Sequence, residues 1–272
     1  ITYEYYMMIK ISMFLDHIKK FIIIILASYL ASCSIPKTDL SLDQATLLEI
    51  KEGKIIGSNN GKTYQWLGIQ YGSIPDSSYR WKRGAETEKW DGVYEALEFG
   101  NTCVQKGSLI NTTKRRNWGD IVGSEDCLYL NVWAPRDVFD DLSQSKPVMV
   151  WIHGGSNVSG NADFYDPSEL VSSQDVIVVS INYRLGPFGW FRHPDITSNA
   201  EDPDDQSGNY GNIDSIQALE WVQRNIGFFG GDSSNITIFG ESAGGYNVAA
   251  LLSAKQANGL FHKAIIQSGG IR

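Results

Sequence analysis

The chain has 272 residues, of which 42% are hydrophobic, 12% aromatic and 20% charged. This balance predicts a globular protein with a sizeable core and excludes an intrinsically disordered chain, a collagen-like repeat and a multi-span membrane protein. The net charge is -8 and no stretch clusters five or six basic residues, so we expect no nucleic-acid partner. The 3 cysteines include no Cys-x-x-Cys pair or Cys/His cluster with zinc-site spacing. We therefore expect no metal site, and no motif implies a cofactor.

An apolar run at residues 21–30 (FIIIILASYL) follows Lys19 and Lys20 and precedes two small residues. The run is too short to span a bilayer, which takes about 20 helical residues. A basic region, a short apolar core and a small-residue cleavage site are typical of a secretory signal. We expect residues 1–32 to be such a signal, with Met13 as its natural start. A buried core helix is the alternative.

Residues 30–33 (LASC) resemble the lipobox of bacterial lipoproteins, in which the cysteine becomes the lipidated first residue after cleavage. The resemblance implies acylation of Cys33 and attachment to a lipid bilayer. Because Ser34 follows the cysteine, it also implies the outer membrane, with the protein periplasmic or on the cell surface. Residues 33–43 are polar, as expected of a tether to a folded domain that begins at residue 44. An ordinary signal with an incidental cysteine is the alternative.

Three segments of alternating polarity open the domain, at residues 45–50, 54–58 and 63–71. The sequence Asn59-Asn60-Gly61 predicts a hairpin turn between the last two, so we expect a small antiparallel N-terminal sheet. Residues 77–123 show no long period and are interpreted as loops and short helices.

Five later runs are dense in valine, isoleucine and aromatic residues and predict buried strands, at 128–133, 147–153, 176–182, 236–239 and 264–267. Apolar residues spaced by three or four predict an amphipathic helix over 213–226, and a second helix is expected over 243–255. This alternation implies an α/β fold, with a mostly parallel central sheet and flanking helices. The acidic stretch 195–205 is interpreted as a solvated surface loop.

The sequence Gly240-Glu241-Ser242-Ala243-Gly244 fits G-x-S-x-G, the nucleophile elbow, in which a sharp strand-to-helix turn lifts a serine above the sheet edge. Short motifs also occur by chance, and a structural glycine-rich turn is the alternative. Here a predicted strand precedes the motif and a predicted helix follows it, which is the required context. We therefore predict Ser242 to be a nucleophile, with helix N–H groups aimed at any oxyanion formed there.

The sequence His153-Gly154-Gly155-Ser156 follows a predicted strand and resembles the HGGG-type loop that completes an oxyanion hole. We expect the N–H groups of Gly154, Gly155 and Ala243 to be the oxyanion donors. Ser156 at the third glycine position predicts a narrower pocket. His153 is interpreted as a structural loop residue rather than a general base.

These motifs make the chain similar to the type-B carboxylesterase family, the α/β-hydrolases that include cholinesterases and the non-enzymatic neuroligins. The resemblance covers residues 44–272. Its matching blocks are 68–71 (GIQY), 125–133 (EDCLYLNVW), 151–155 (WIHGG), 182–186 (NYRLG) and 208–245.

The resemblance implies a disulfide between Cys103 and Cys127 and a salt bridge between Arg80 and Glu125. It also implies that Glu241, beside the nucleophile, is a buried acid that tunes the site electrostatically. Trp118 lies near the place where cholinesterases carry a choline-binding tryptophan, with a different spacing to the cysteine. We interpret Trp118 as a loop surface residue and infer no choline substrate.

A serine nucleophile needs a base and an acid, which in this fold follow it in the order Ser, Asp or Glu, His. After Ser242 the sequence contains no Asp or Glu, and its one histidine there is His262, a position that the resemblance implies to be structural. We therefore expect a C-terminally incomplete hydrolase of small-molecule carboxylic esters, working through an acyl-enzyme and inactive as this fragment alone. The alternative is a non-catalytic surface binding or adhesion protein, or an inactive truncated remnant, on the same fold.

Overall fold

The computed structural model describes residues 41–108, 118–141 and 143–270. The predicted signal, Cys33 and most of the predicted tether lie outside these residues. The last residues of the tether already contact the folded body, because Leu42 bridges to Ser58 and the Asp43 N–H donates to Gly57 O at 3.1 Å. In the part of the chain that is described, no helix is long and apolar enough to cross a membrane.

Twelve strands occur within the described ranges. They are β1 Leu48–Glu49, β2 Lys54–Ile56, β3 Ser58–Asn59, β4 Thr63–Gln70, β5 Val93–Glu95, β6 Gln105–Lys106, β7 Ile121–Val122, β8 Tyr129–Pro135, β9 Lys146–Ile152, β10 Ile177–Ile181, β11 Gly231–Glu241 and β12 Lys263–Gln267. All five predicted strands are present, as β8 to β12. Strand β12, which lies at an edge of the sheet formed by the described residues, is mostly exposed, so the expectation that it is buried was wrong.

The α-helices of the same ranges are α1 Ser168–Gln174, α2 Gly186–Gly189, α3 Pro194–Thr197, α4 Tyr210–Asn225 and α5 Ala243–Ser253. Short 3-10 turns occur at Gln44–Thr46, Ser77–Tyr79, Ile226–Phe229 and Lys255–Ala257. Both predicted long helices are confirmed, as α4 and α5. The described parts of residues 77–123 form loops, a 3-10 turn and the short strands β5 to β7, whereas short helices were expected there.

The central sheet has seven strands in the order β12-β11-β9-β10-β8-β4-β3. The pairs β12–β11, β11–β9 and β9–β10 are parallel, whereas β10–β8, β8–β4 and β4–β3 are antiparallel. The α/β architecture is confirmed. Within the described residues the sheet is evenly mixed rather than mostly parallel, because β3, β4 and β8 all add to it as antiparallel pairs.

The three N-terminal segments do not form a sheet of their own. The hairpin turn is present, but it joins β3 to β4, and both strands belong to the central sheet. The separate small sheet has the order β1-β2-β5, with β1 antiparallel and β5 parallel to β2. The expectation of a purely antiparallel small sheet was therefore wrong, because alternating polarity identifies a strand but not its partner.

Strand β9 is covered on both faces. Val148 and Ile152 belong to the larger core, where they pack with Trp221 of α4 and its neighbours. Met149 points to the opposite face, where it packs with the cluster that contains Val171 of α1. Burial on both faces explains why this strand is apolar at consecutive positions.

Helix α4 is buried around most of its circumference, since 12 of its 16 residues are buried. A single apolar stripe predicted an amphipathic helix with one solvated face. The face of α4 opposite the apolar stripe is covered by the segment that contains Gly84 and Ala85. Gln217 Nε2 donates to the carbonyl oxygens of Gly84 (3.1 Å) and Ala85 (3.2 Å). The Gln217 amide nitrogen is thus paired with protein groups instead of water.

The acidic stretch is anchored at its C-terminal end rather than wholly solvated. Arg83 forms ion pairs with Asp204, at 3.5 Å, and with Glu220 of α4. The backbone N–H of Arg83 also donates to Asp205 Oδ1 at 2.6 Å. One arginine therefore fixes the end of the loop to α4.

The disulfide and the salt bridge that the resemblance implied are both present. Cys103 and Cys127 form a disulfide with an S–S distance of 2.10 Å across a sequence separation of 24 residues. Loop closure of this length contributes about 3 kcal/mol in the chain-entropy account. Arg80 Nε donates to Glu125 Oε2 at 2.8 Å, and a second guanidinium nitrogen pairs with the other oxygen.

A buried ion pair joins the end of β10 to α4. Arg184 donates to the Asp214 carboxylate through Nε at 2.8 Å, through Nη2 at 2.6 Å and through its backbone N–H at 3.0 Å. The two side chains are 3% and 0% exposed. Because each charge has lost its water, each depends on the other for compensation.

Replacing Asp214 by alanine leaves the Arg184 guanidinium buried without its counter-ion. We expect Asp214→Ala to lower the free energy of unfolding by about 3–5 kcal/mol, measured by urea denaturation. The double variant Arg184→Met/Asp214→Leu removes both charges and should recover most of that loss.

The exposed pair of Lys62 and Glu169, at 2.6 Å, is the matched control. Solvent screens this pair, so Glu169→Ala should leave the free energy of unfolding unchanged. An Asp214→Ala protein as stable as the parent would contradict the role assigned to the buried pair.

Candidate active site

Ser242 lies at a sharp turn between β11, which ends at Glu241, and α5, which begins at Ala243. Its backbone has φ 55° and ψ -120°. A non-glycine residue in such a conformation costs about 1–3 kcal/mol and persists only where its surroundings fix it. The Ser242 N–H donates to Gln267 O of β12 at 2.9 Å, and Ser242 O accepts from the Tyr246 N–H at 3.1 Å. The turn has the strand-to-helix geometry that the G-x-S-x-G motif requires.

The glycines of the motif are required by close packing. A Cβ on Gly244 would lie 2.0 Å from Ile152 O at the end of β9. A Cβ on Gly240 would lie 2.5 Å from the carbonyl carbon of Gly244. Any side chain at either position would push α5 away from the sheet.

The loop after β9 lies directly against the serine. A Cβ built on Gly154 would be 3.3 Å from Ser242 Cβ and 2.7 Å from Glu241 O. Among the described residues, no group accepts a hydrogen bond from the backbone N–H of Gly154, Gly155 or Ala243. The structure therefore brings the three predicted oxyanion donors to the turn that carries Ser242, with their hydrogen-bonding capacity unused by protein.

The conformation of this loop is fixed by a pair of asparagines. The Asn247 amide, on α5, donates to Asn157 Oδ1 at 3.0 Å, and Asn157 Nδ2 lies 3.4 Å from Asn247 Oδ1. Asn157 has φ 57°, a left-handed conformation that asparagine tolerates well, and its carbonyl accepts from the Gly186 N–H at 2.6 Å. The sequence analysis missed this pair, because its members are 90 residues apart and neither belongs to a motif.

Ser156 does not narrow the pocket as expected. Its backbone is left-handed, with φ 57°, and the residue is exposed. It is absent from the described residues that line the cavity beside Ser242. The left-handed turn directs this part of the loop away from the nucleophile.

The cavity beside Ser242 has a volume of about 240 Å³. The described residues that line it are His153, Gly154, Gly155, Gly160, Asn161, Phe164, Tyr165, Glu241 and Ser242. Five of these are in the two motifs. The sequence analysis missed the other four, Gly160, Asn161, Phe164 and Tyr165. Two adjacent aromatics in a polar stretch were a signal for the last two, and they are 51% and 46% exposed.

Glu241 lines the cavity next to the nucleophile, as the resemblance implied. The residue is only partly buried, whereas a buried acid was expected. A Cβ on Gly154 would lie 3.3 Å from Glu241 Oε2, so the carboxylate is close to the loop that holds the oxyanion donors.

His153 is buried in the wall of the cavity, where its ring contacts Tyr183 and its own loop. Its ring stacks on Tyr183 at 4.4 Å, and Nδ1 lies 2.7 Å from Gly154 O. Because a carbonyl oxygen only accepts, Nδ1 carries the proton. Burial lowers the pKa of His153 to about 4, so the ring is neutral at neutral pH. These contacts support the interpretation of His153 as a structural residue.

His262 lies at the opposite end of the parallel strands. Its Nδ1 accepts from the Ile236 N–H at 3.1 Å, and its own N–H donates to Ile236 O at 2.8 Å. Ser242 follows β11 at its other end, six residues beyond Ile236 and about 20 Å away at the usual rise per residue. His262 therefore holds β11 and the start of β12 together, and it does not reach Ser242.

Trp118 is a surface residue, 43% exposed, and does not line the cavity formed by the described residues. This agrees with its interpretation as a loop residue.

A serine on a strained strand-to-helix turn at the carboxyl ends of parallel strands, close to backbone N–H groups that have no acceptor among the described residues, is the arrangement of an α/β-hydrolase. The carboxylesterase family model matches residues 44–272, and the chain belongs to this family.

Curated relatives support the same assignment. Para-nitrobenzyl esterase of Bacillus subtilis is 43% identical over 222 residues, covering 81% of this chain and 43% of the relative. Human carboxylesterase 5A is 40% identical over 207 residues, covering 75% of this chain and 34% of the relative. The chain thus spans less than half the length of these relatives.

Solved structures agree. A structure of para-nitrobenzyl esterase has a TM-score of 0.71 and 41% sequence identity, covering 84% of this chain and 44% of that chain. A thermophilic para-nitrobenzyl esterase has a TM-score of 0.73 at 41% identity, with 84% and 45% covered.

The lowered pKa of His153 predicts a component of acid destabilisation. Below the ordinary pKa of 6.5 the unfolded chain binds a proton at this ring, whereas the folded protein does not do so until pH falls to about 4. The free energy of unfolding should therefore decrease by about 3 kcal/mol between pH 7 and pH 4 because of His153. In His153→Phe, which keeps an aromatic ring beside Tyr183, urea denaturation should show this component removed.

His193, whose side chain is 51% exposed, provides the matched control. His193→Phe should keep the pH dependence of the parent protein. A His153→Phe protein that loses stability as steeply as the parent over this range would contradict the prediction.

Proposed function

We propose that the complete protein is a carboxylic ester hydrolase with Ser242 as its nucleophile. The observation that carries the proposal is the position of Ser242 on a strained turn, against the loop in which the N–H groups of Gly154 and Gly155 have no acceptor among the described residues. Strain of this kind persists at functional sites, where it holds a reactive group in place. The esterase names of the relatives support the same activity.

In the proposed reaction, Ser242 Oγ forms a bond to the ester carbonyl carbon while its proton passes to a general base. The carbonyl oxygen becomes an oxyanion and accepts hydrogen bonds from the N–H groups of Gly154, Gly155 and Ala243. The carbon–oxygen bond to the alcohol then breaks, the alcohol takes the proton, and an acyl-enzyme remains. Water hydrolyses this intermediate and releases the acid.

The described residues supply the nucleophile and the oxyanion donors. We place the general base and its acid partner in the part of the family domain that this sequence does not span. A histidine base becomes positively charged in the transition state. Glu241 carries a negative charge beside Ser242, and we propose that it stabilises this imidazolium.

The alternative of a non-catalytic binding protein on the same fold receives less support. A binding role needs neither a nucleophile nor oxyanion donors. Ser242, Gly154 and Gly155 nevertheless line one cavity, which supports the enzymatic proposal.

A fluorophosphonate probe tests the nucleophile in the complete protein. The serine oxygen attacks phosphorus and displaces fluoride, so we expect covalent labelling of Ser242, detected by mass spectrometry of the peptide. Ser242→Ala should abolish labelling and lower kcat for a nitrophenyl ester by at least about a thousandfold.

Ser253, an exposed residue at the end of α5, gives the matched control. Ser253→Ala should keep labelling and activity. A folded complete protein that stays unlabelled at Ser242 would refute the hydrolase proposal.

We also propose that the protein is exported and attached to a lipid bilayer through acylated Cys33, in the outer membrane. The apolar run after a basic region and the LASC sequence support this location. The Cys103–Cys127 disulfide adds support, since such bonds persist in oxidising compartments outside the cytosol.

Acylation is tested by expression in a Gram-negative host fed an alkyne fatty acid. We expect label at Cys33, an N-terminal peptide with the mass of the acyl chains, and sedimentation with membranes. Cys33→Ser should lose all three. A parent protein whose mature N-terminus carries an unmodified Cys33, or lies elsewhere, would contradict this location.

A further inference from the structure

Asn161 is a buried polar residue in the wall of the nucleophile cavity. It is 5% exposed and lines the same space as Ser242 and Glu241. Its Oδ1 has no hydrogen-bond partner in the described structure. Buried side-chain amides are normally hydrogen-bonded, because desolvation without a partner is unfavourable. Asn182 and Asn247, which are also buried, both have such partners.

The backbone on both sides of Asn161 is held by buried side chains. The Gly160 N–H donates to Gln105 Oε1 at 2.8 Å, and Gln105 Nε2 donates back to Gly160 O at 2.9 Å. On the other side, the Ala162 N–H donates to Asn182 Oδ1 at 2.8 Å. Asn161 is therefore fixed in the wall of the cavity and does not relieve its desolvation by moving to the surface.

Fixed polar groups in a mostly apolar cavity are typical of sites that select a ligand by hydrogen bonding. Phe164 and Tyr165 provide aromatic wall next to Asn161. An amide both donates and accepts hydrogen bonds, as a hydroxyl group does. Glu241 in the same cavity repels a carboxylate or phosphate, which favours a neutral partner.

We propose that Asn161 is a specificity-determining residue that hydrogen-bonds a hydroxyl group carried by the substrate next to its ester, so that the protein prefers hydroxylated esters. This inference rests on the proposed hydrolase function and extends it to the substrate class. A site built to bind a hydroxyl discriminates against the analogue that lacks it, because the amide is then left unpaired.

Two matched pairs of esters test the preference in the complete protein, with acid release followed by pH-stat titration. Ethyl 3-hydroxybutyrate and ethyl butyrate differ by a hydroxyl in the acyl part. The esters 2-hydroxyethyl butyrate and propyl butyrate differ on the alcohol side. We expect kcat/KM to favour the hydroxylated member of at least one pair by about tenfold. Equal kcat/KM values within both pairs would overturn the inference.

The variant Asn161→Leu replaces the amide by an apolar side chain of similar size. The ratio of kcat/KM within the discriminating pair should fall from about ten to about one. Asn199, an exposed residue, gives the same substitution as a control, and Asn199→Leu should keep both the ratio and the activity. A ratio that stays near ten in Asn161→Leu would overturn the inference.

Labelling by the fluorophosphonate separates the two proposals. If the complete protein is labelled at Ser242 and hydrolyses all four esters without preference, the role of Asn161 fails and the hydrolase function stands. If it is neither labelled nor active, the hydrolase function fails. If Asn161→Leu does not fold, the comparison of ester pairs with the parent protein still decides.

Discussion

The contact between strand β9 and helix α5 determines the geometry of the whole site. At Gly244 the helix approaches so closely that a Cβ would lie 2.0 Å from Ile152 O. This approach leaves the chain no room for a gradual turn, so Ser242 adopts φ 55°. The same contact brings the loop after β9 over the serine, with a Gly154 Cβ position 3.3 Å from Ser242 Cβ. Nucleophile and oxyanion donors are thus brought together by one backbone contact.

The residues that follow β10, the neighbour of β9 in the sheet, hold this contact in place. The Tyr183 hydroxyl donates to His153 O at 2.5 Å, directly before the oxyanion loop. The next residue, Arg184, is paired with Asp214 of α4. Loss of one partner of a buried ion pair strongly destabilises a protein, so both partners must stay in contact. The bidentate contact therefore fixes the end of β10 relative to α4. The position of the loop after β9 therefore depends on two charges that do not line the cavity beside Ser242.

The sequence predicts those features whose signal is local. Strand–turn–helix context identified the elbow at Ser242, because each element has its own residue pattern. Features that depend on distant pairing were not predictable. The β2–β5 pair and the Asn157–Asn247 amide pair join segments far apart along the chain, and neither has a pattern that specifies its partner. Asn161 has no signal at all, since a polar residue in a loop is ordinarily solvated.

The charged and dipolar groups around the cavity have different electrostatic effects. His153 is neutral at neutral pH because burial lowers its pKa to about 4, which leaves Glu241 as the formal charge among the described lining residues. A negative group beside Ser242 opposes the oxyanion, so the backbone N–H dipoles must supply all of its stabilisation within the described part of the site. The same carboxylate favours a positive charge on the base. These charges therefore suit the proposed reaction, in which negative charge develops at the carbonyl oxygen while the general base takes up a proton.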